Sequence, residues 1–278
     1  MTHIIAATDL SDRGDRAVHR ALLLARQAGA RLTVLTVIDE ALPRALADTL
    51  VKASRAELER IVAAFDAGRT DAVQIAVIEG DPARAVADHA MQEKADLLVL
   101  GRHRERPVAD LFRQTTVERI VALVSCPVLL VTAPAAAAYA TVLEAVDFSP
   151  AAAAAAITAR TLAPQATHVG LHVYHVPYRG FMPGGAAAAF LHEAEQAEAA
   201  WRKRFDLPKD RLAIRLAEGG VASGLAQAIA ETRPDLIAVG AHGRPALATA
   251  ILGSLAASLM REPPCDLLIA RPTVAGFA

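Results

Sequence analysis

Aromatic residues make up only 4% of the 278-residue chain, cysteine occurs twice, and neither sign of charge dominates. Each scarcity excludes something. Two cysteines, Cys126 and Cys265, cannot build a disulfide framework, which fits a reducing compartment. With 29 basic side chains against 30 acidic ones the formal charge is -1, and no long basic run is present. That is not the electrostatic footprint of a dedicated nucleic-acid binder. No apolar stretch approaches the roughly 20 residues that span a bilayer. Residues 1–9 lack a basic segment and reach Asp9 too early for a secretory signal. A cytoplasmic protein with neither nucleic-acid nor membrane partners is expected. What the chain has in plenty is alanine. Alanine without aromatics predicts many helices packed closely through small side chains, and the length predicts about two domains.

The chain repeats itself. Ala6-Ala7-Thr8-Asp9-Leu10-Ser11 returns as Glu144-Ala145-Val146-Asp147-Phe148-Ser149, a shift of 138. Ile78-Glu79-Gly80 returns as Ala217-Glu218-Gly219, and Asp96-Leu97-Leu98-Val99-Leu100-Gly101 as Asp235-Leu236-Ile237-Ala238-Val239-Gly240, both shifted by 139. Cys126 and Cys265 are equivalent positions. Two homologous domains are predicted, at residues 1–134 and 139–274, joined by a small, featureless alanine-rich linker.

Each half alternates strand and helix. In the first, strands are predicted at 3–8, 31–38, 72–78, 97–100 and 128–131, and helices at 12–28, 46–65, 82–92 and 115–124. In the second, strands fall at 141–146, 169–174, 211–216, 236–239 and 267–269, and helices at 151–162, 186–205, 221–231 and 254–261. Ser11 and Asp81 stand where helix N-caps are wanted, the latter followed by proline. Alternation of this kind implies an α/β fold with two doubly wound parallel sheets, helices on both faces. Such sheets bind ligands beyond the carboxyl ends of their strands, where the strand order reverses. Asp9 and Gly101, and Asp147 and Gly240, follow the strands concerned.

After the fourth strand of the second half comes Gly240-Ala241-His242-Gly243, then nine residues, then Gly253-Ser254-Leu255. Gly240 and Gly243 would present bare N–H groups. Gly253-Ser254 opens a helix, whose free N–H groups and dipole favour an anion. Such a pattern arises by chance in about one chain in a hundred of this length. The bland reading is that these glycines only make turns and start a helix.

With these residues the chain resembles a tandem universal stress protein. The resemblance rests on Asp9 and Asp147, on Glu79-Gly80 and Glu218-Gly219, and on the complete second-half glycine motif. It implies domains of the adenine nucleotide alpha-hydrolase kind, five strands each, in the order 3-2-1-4-5. It also implies ATP or another adenine nucleotide, with magnesium as a companion ion, held by Gly240, His242, Gly243, Arg244, Gly253, Ser254 and Leu255. Asp147 and the backbone at Val173 would lie near the adenosine. The first half departs from the motif: Gly101 is kept, but Arg104 and Gln114 replace the next two glycines, with Thr115 in the Ser/Thr place. One nucleotide per chain is expected, bound by the second half. The cluster Arg102-His103-Arg104-Glu105-Arg106 reads as a solvated loop or an altered anion site.

No paired-histidine transferase motif or Ser-Gly-Gly pyrophosphate loop is present, and no general base is placed by motif. Function through binding is expected, in a stress response or other regulation, with a homo-oligomer and unidentified proteins as partners. The alternatives are a nucleotide-free interaction scaffold and a slow ATPase or ATP-dependent transferase. No histidine or cysteine grouping has zinc spacing, and both thiols read as small buried hydrophobes. Phe181-Met182-Pro183-Gly184-Gly185 reads as a loop packed on its own domain. Asp147 also has a structural reading, as part of the cap of the following helix with Ser149.

Overall fold

The computed structural model describes residues 1–65, 73–102, 115–177, 186–241 and 253–272, with the backbone alone at 186 and 187. Two compact units emerge: residues 1–138 with 243–267, and residues 139–242 with 268–278.

The first unit contains β1 (His3–Ala7), α1 (Asp12–Ala28), β2 (Arg31–Ile38), α2 (Arg44–Phe65), β3 (Val73–Glu79), α3 (Pro82–Gln92), β4 (Leu97–Gly101), α4 (Thr116–Leu123) and β5 (Val128–Val131). Its strands lie in the order β3-β2-β1-β4-β5, each pair parallel. The next elements are β6 (Thr141–Ala145), α5 (Pro150–Leu162), β7 (Thr167–Tyr174), α6 (Ala186–Phe205), β8 (Ala213–Glu218), α7 (Val221–Thr232) and β9 (Leu236–Gly240). The chain closes with α8 (Ser254–Arg261), in the first unit, and β10 (Asp266–Ala270). The second repeat's strands run β8-β7-β6-β9-β10, the same 3-2-1-4-5 order, with the β8–β7, β7–β6 and β6–β9 pairs parallel. The expected doubly wound α/β fold is therefore present twice.

The apolar runs explain the layering. Ile4, Ile5, Leu97, Leu98 and Leu129 are fully buried, as central strands covered on both faces require. Each such side chain contributes about 1.5–3 kcal/mol on leaving water. Register is the same in both repeats. Ala7 lies level with Leu35 and Leu100, and Ala145 with Leu171 and Val239. A carboxylate before the fourth strand ties down the chain entering the first. Asp96 Oδ2 accepts from the N–H groups of Thr2 and His3 at 2.5 and 3.1 Å. Asp235 Oδ2 accepts from those of Ala140 and Thr141 at 2.8 and 3.0 Å.

The alanine runs divide. Ala151 to Ala156 of α5 are all buried, so this helix packs through small side chains as expected, whereas Ala188 and Ala189 of α6 are exposed. An aromatic cluster lies instead around α6. Trp201 is buried with Val146, Ala152, Ala153, Ala156, Leu207 and Leu212, with Phe148, Phe205 and Ile214 packed against them. The third strand of the second half begins at Ala213 rather than at 211. Arg211 N–H donates to the Pro208 carbonyl in a turn, and the Leu212 carbonyl is taken by the buried Arg202 guanidinium at 2.8 Å.

Candidate functional site

In both repeats the chain leaving the first strand makes the same tight turn. Asp9 Oδ1 accepts from the Ser11 N–H at 3.1 Å, and Asp147 Oδ1 from the Ser149 N–H at 3.0 Å. Each serine then caps the helix that follows, accepting from Gly14 N–H at 3.4 Å in α1 and from Ala152 N–H at 3.1 Å in α5. Asp147 thus supports the cap rather than forming it. The residue between aspartate and serine is left-handed in both turns, Leu10 at φ 60° and Phe148 at φ 58°. A side chain held there costs about 1–3 kcal/mol, so surrounding structure must impose it.

In the second repeat aromatic packing imposes it. The Phe148 ring stacks on His172 with centroids 4.1 Å apart and lies 5.9 Å from Trp201. The Trp201 indole N–H donates to the Ser149 carbonyl at 2.9 Å, and His172 Nδ1 lies 2.8 Å from the Val146 carbonyl, which requires a proton on that nitrogen. Asp147, exposed, is therefore presented by a braced turn. The strands flanking β6 end beside it, because Ala145 is level with Leu171 and Val239. Val173, two residues beyond Leu171, and Gly240, one beyond Val239, consequently stand with Asp147 at the carboxyl edge of three adjacent parallel strands.

Gly240 has a packing reason to be glycine. A Cβ there would lie 2.5 Å from the backbone carbonyl carbon of Ala151 and 2.5 Å from the nitrogen of Ala152, at the start of α5. Gly101 is its counterpart: a Cβ would come within 2.6 Å of the Arg13 carbonyl oxygen in α1. This explains why the first half keeps Gly101 while changing the other motif glycines.

Gly253 differs. It is the N-cap of α8, and a Cβ on it would meet no described atom within 4 Å. Having no side chain, it gives the first turn of α8 no cap; Ser254 is exposed and Leu255 half-buried beside it. The corresponding helix of the first repeat begins otherwise. Thr115 caps α4, accepting from Glu118 N–H at 3.1 Å, and Glu118 returns a carboxylate oxygen to Thr115 N–H at 2.9 Å. This reciprocal capping box fills the helix start and places a negative charge on it. The sequence signal for it is Thr115-Thr116-Val117-Glu118, a threonine followed three residues later by glutamate.

His242, Gly243 and Arg244 lie outside the described residues, as do the basic cluster from His103 to Arg106, Gln114, and the loop containing Phe181 and Met182. Among the described residues no group of three His, Cys, Asp or Glu could hold a metal ion, and no helix is long and apolar enough to cross a membrane. Cys126 and Cys265 are free thiols but half-buried rather than buried, each in the bend that leads into the last strand of its repeat. Burial pushes the Cys126 thiol up to about 11, which keeps it neutral and unreactive.

The sequence pattern of the Universal stress protein family matches the chain twice, over residues 1–132 and 138–271. The "Universal stress protein in QAH/OAS sulfhydrylase 3'region" of Thermus aquaticus is 36% identical over 136 residues, covering 46% of this chain and 96% of its own length. A universal stress protein from Archaeoglobus fulgidus DSM 4304 superposes with a TM-score of 0.69 at 18% identity, over 98% of both chains. A protein of unknown function from Pseudomonas aeruginosa PAO1 does so with a TM-score of 0.64 at 16% identity, over 98% of this chain and 93% of that one. At such identities these two structures speak for the fold alone. With the family pattern matched across both repeats, the chain belongs to the universal stress protein family.

Proposed function

We propose that the second repeat binds ATP or another adenine nucleotide, and that the chain serves a stress response by binding rather than by turnover. The observation that carries this reading is the contrast between the two helix starts. At Gly253-Ser254 no described atom occupies the position of a side chain and the helix N-terminus bears no side-chain cap, which suits an anion. At Thr115 the equivalent place is filled by a capping box with a negative charge. Asp147 and the Val173 backbone, on the strand edge, would meet the adenosine. Gly240, Gly253, Ser254 and Leu255 would meet the phosphates, together with His242, Gly243 and Arg244 on sequence grounds. Bound magnesium would neutralise part of the phosphate charge.

The first repeat is read as a nucleotide-free module. Mass spectrometry of the denatured protein should release a co-purified adenine nucleotide. Titration of the stripped protein with ATP should then give one site per chain. Two sites would mean that the first repeat also binds. No nucleotide and no heat would leave the interaction-scaffold reading in its place.

A further inference from the structure

The helix that carries Gly253-Ser254 is fastened by side chains of the other repeat. Residues 253–267 belong to the first compact unit, together with the whole first repeat. Asp266 is the principal tie. It is 2% exposed, and its Oδ1 accepts from the Thr132 N–H at 2.8 Å and from the Thr132 hydroxyl at 3.2 Å. Its other oxygen pairs with Arg20 Nε at 3.4 Å, and the Arg20 guanidinium is held in turn by the Ala137 carbonyl at 2.7 Å. The second tie is on α8 itself: Arg261 Nε donates to Glu118 Oε1 at 3.3 Å. Glu118 is the residue whose other oxygen closes the capping box of α4.

These two charge pairs have no repeat-equivalent charge pairs. By the repeat spacing, Arg20 and Asp266 correspond to Thr158 and Pro127, and Glu118 and Arg261 to Ala257 and Ala122. Neither counterpart pair can make a charge pair, and proline at 127 has no N–H. A purely symmetric packing requirement would place similar groups at both sets of positions. Instead the first repeat carries Arg20, Thr132 and Glu118, and the second repeat's last segment carries the groups that answer them. Asp266 is buried among its partners, so removing its charge leaves Arg20 short of compensation, and the segment is free to shift.

We infer that the first repeat is the positioning device for the second repeat's phosphate helix: Arg20, Thr132 and Glu118 hold Asp266 and Arg261, and through them fix where α8 presents Gly253 and Ser254. This rests on the nucleotide reading of the second repeat. It gives the degenerate half a task that its sequence retains, and Glu118 performs both parts, closing its own helix start and anchoring the other. The ties act through α8 and do not themselves touch nucleotide, so they are positioning residues.

The test uses the full chain, ATP as the probe, and two kinds of readout. Asp266→Asn keeps the shape and removes the charge; it should weaken ATP binding by about fivefold or more, the size of an ordinary coupling between sites. Arg261→Ala, at a largely exposed position that the fold does not need, should weaken it by about twofold, and Arg261→Lys should restore it. In both weakened variants amide hydrogen exchange should quicken across 254–261 and stay unchanged in α2 and α5. Should Asp266→Asn fail to fold, Arg261→Ala and its lysine rescue decide the matter. A wild type that binds ATP, with variants that bind it equally well, overturns this inference alone. A wild type that binds no ATP overturns the nucleotide reading, and this role with it.

Discussion

Replacing Gly240 and Gly253 separately by alanine should damage different properties, although both belong to one motif. At Gly240 the new Cβ meets backbone, 2.5 Å from both the Ala151 carbonyl carbon and the Ala152 nitrogen and 2.8 Å from the Ala151 Cβ. Backbone cannot rotate away as a side chain can, so α5 must move off β9 or the strand must bend. Overpacking of this kind costs about 1–3 kcal/mol, and a melting temperature lower by roughly 3–10 °C is expected. At Gly253 the backbone, φ -55° and ψ 149°, already suits alanine, and the Cβ meets no described atom within 4 Å. Alanine is a markedly poorer N-cap than glycine, by roughly 0.5–1 kcal/mol, and restricts the unfolded chain by a similar amount, about 0.4–1 kcal/mol. The two effects offset, so stability should be unchanged. The methyl group would nevertheless stand where the phosphate is proposed to approach, and ATP affinity should fall about tenfold or more. Thermal melts of both variants and calorimetric titration with ATP separate the cases. Unaltered ATP affinity in Gly253→Ala would refute the assignment of this helix start, and an unaltered melt of Gly240→Ala would refute the packing argument.

Gly243 lies outside the described residues, but the motif predicts that a bulky replacement there abolishes ATP binding and leaves the circular dichroism spectrum unchanged; retained binding sinks the loop assignment. A pH effect is expected from the buried pair Glu144–His168, whose Oε1 and Nδ1 are 2.7 Å apart. Burial raises Glu144 more than the His168 bond lowers it; burial lowers His168, but its bonds to Glu144 and to the Ala163 carbonyl outweigh that and raise it. Both groups therefore keep their proton to higher pH folded than unfolded, and stability falls as pH rises. The His168 contribution is whole below about pH 6.5 and is lost as pH climbs through its raised value. Melting temperature followed from pH 6 to 9 should decline more steeply in wild type than in Glu144→Gln, and equal slopes would falsify the assignment.

Much of the fold was legible because it is written twice. The serine caps at 11 and 149 and the buried apolar strands each carry their own local physics, so the alternation and the boundary of α8 followed from pattern alone. What escaped was decided at a distance. The start of β8 depends on Arg202, whose guanidinium takes the Leu207 and Leu212 carbonyls at 3.0 and 2.8 Å, contacts no periodicity reveals. The left-handed Phe148 escaped for the same reason. Its conformation is imposed by His172 and Trp201, 24 and 53 residues further along, and nothing in Asp147-Phe148-Ser149 marks it. Of the proposed nucleotide residues, sequence located Asp147, Val173, Gly240 and Gly253 to Leu255 on strand ends and a helix start, because those places follow from topology. It did not separate the glycine that packs from the glycine that leaves room.

That separation explains how the two halves diverged. Gly101 and Gly240 serve the sheet, since a Cβ at either would strike the helix after the first strand. A repeat that lost this glycine would weaken its own core whether or not it bound anything. Gly253 packs against no described neighbour, and at its counterpart the first repeat carries Gln114 and then a threonine that caps the helix. A helix start with neither a bound anion nor a cap has unsatisfied N–H groups. A capping box satisfies two of them and typically adds about 1 kcal/mol of stability. Loss of binding and gain of a cap therefore favour each other. The carboxylate that arrives with the cap opposes any return of a phosphate, and the same carboxylate is then in place to take Arg261 of α8. The first repeat's divergence is thus consistent with its physics: the packing glycine stays, the glycine proposed to meet phosphate is absent, and the charge of the capping box is a tie to the helix proposed to bind.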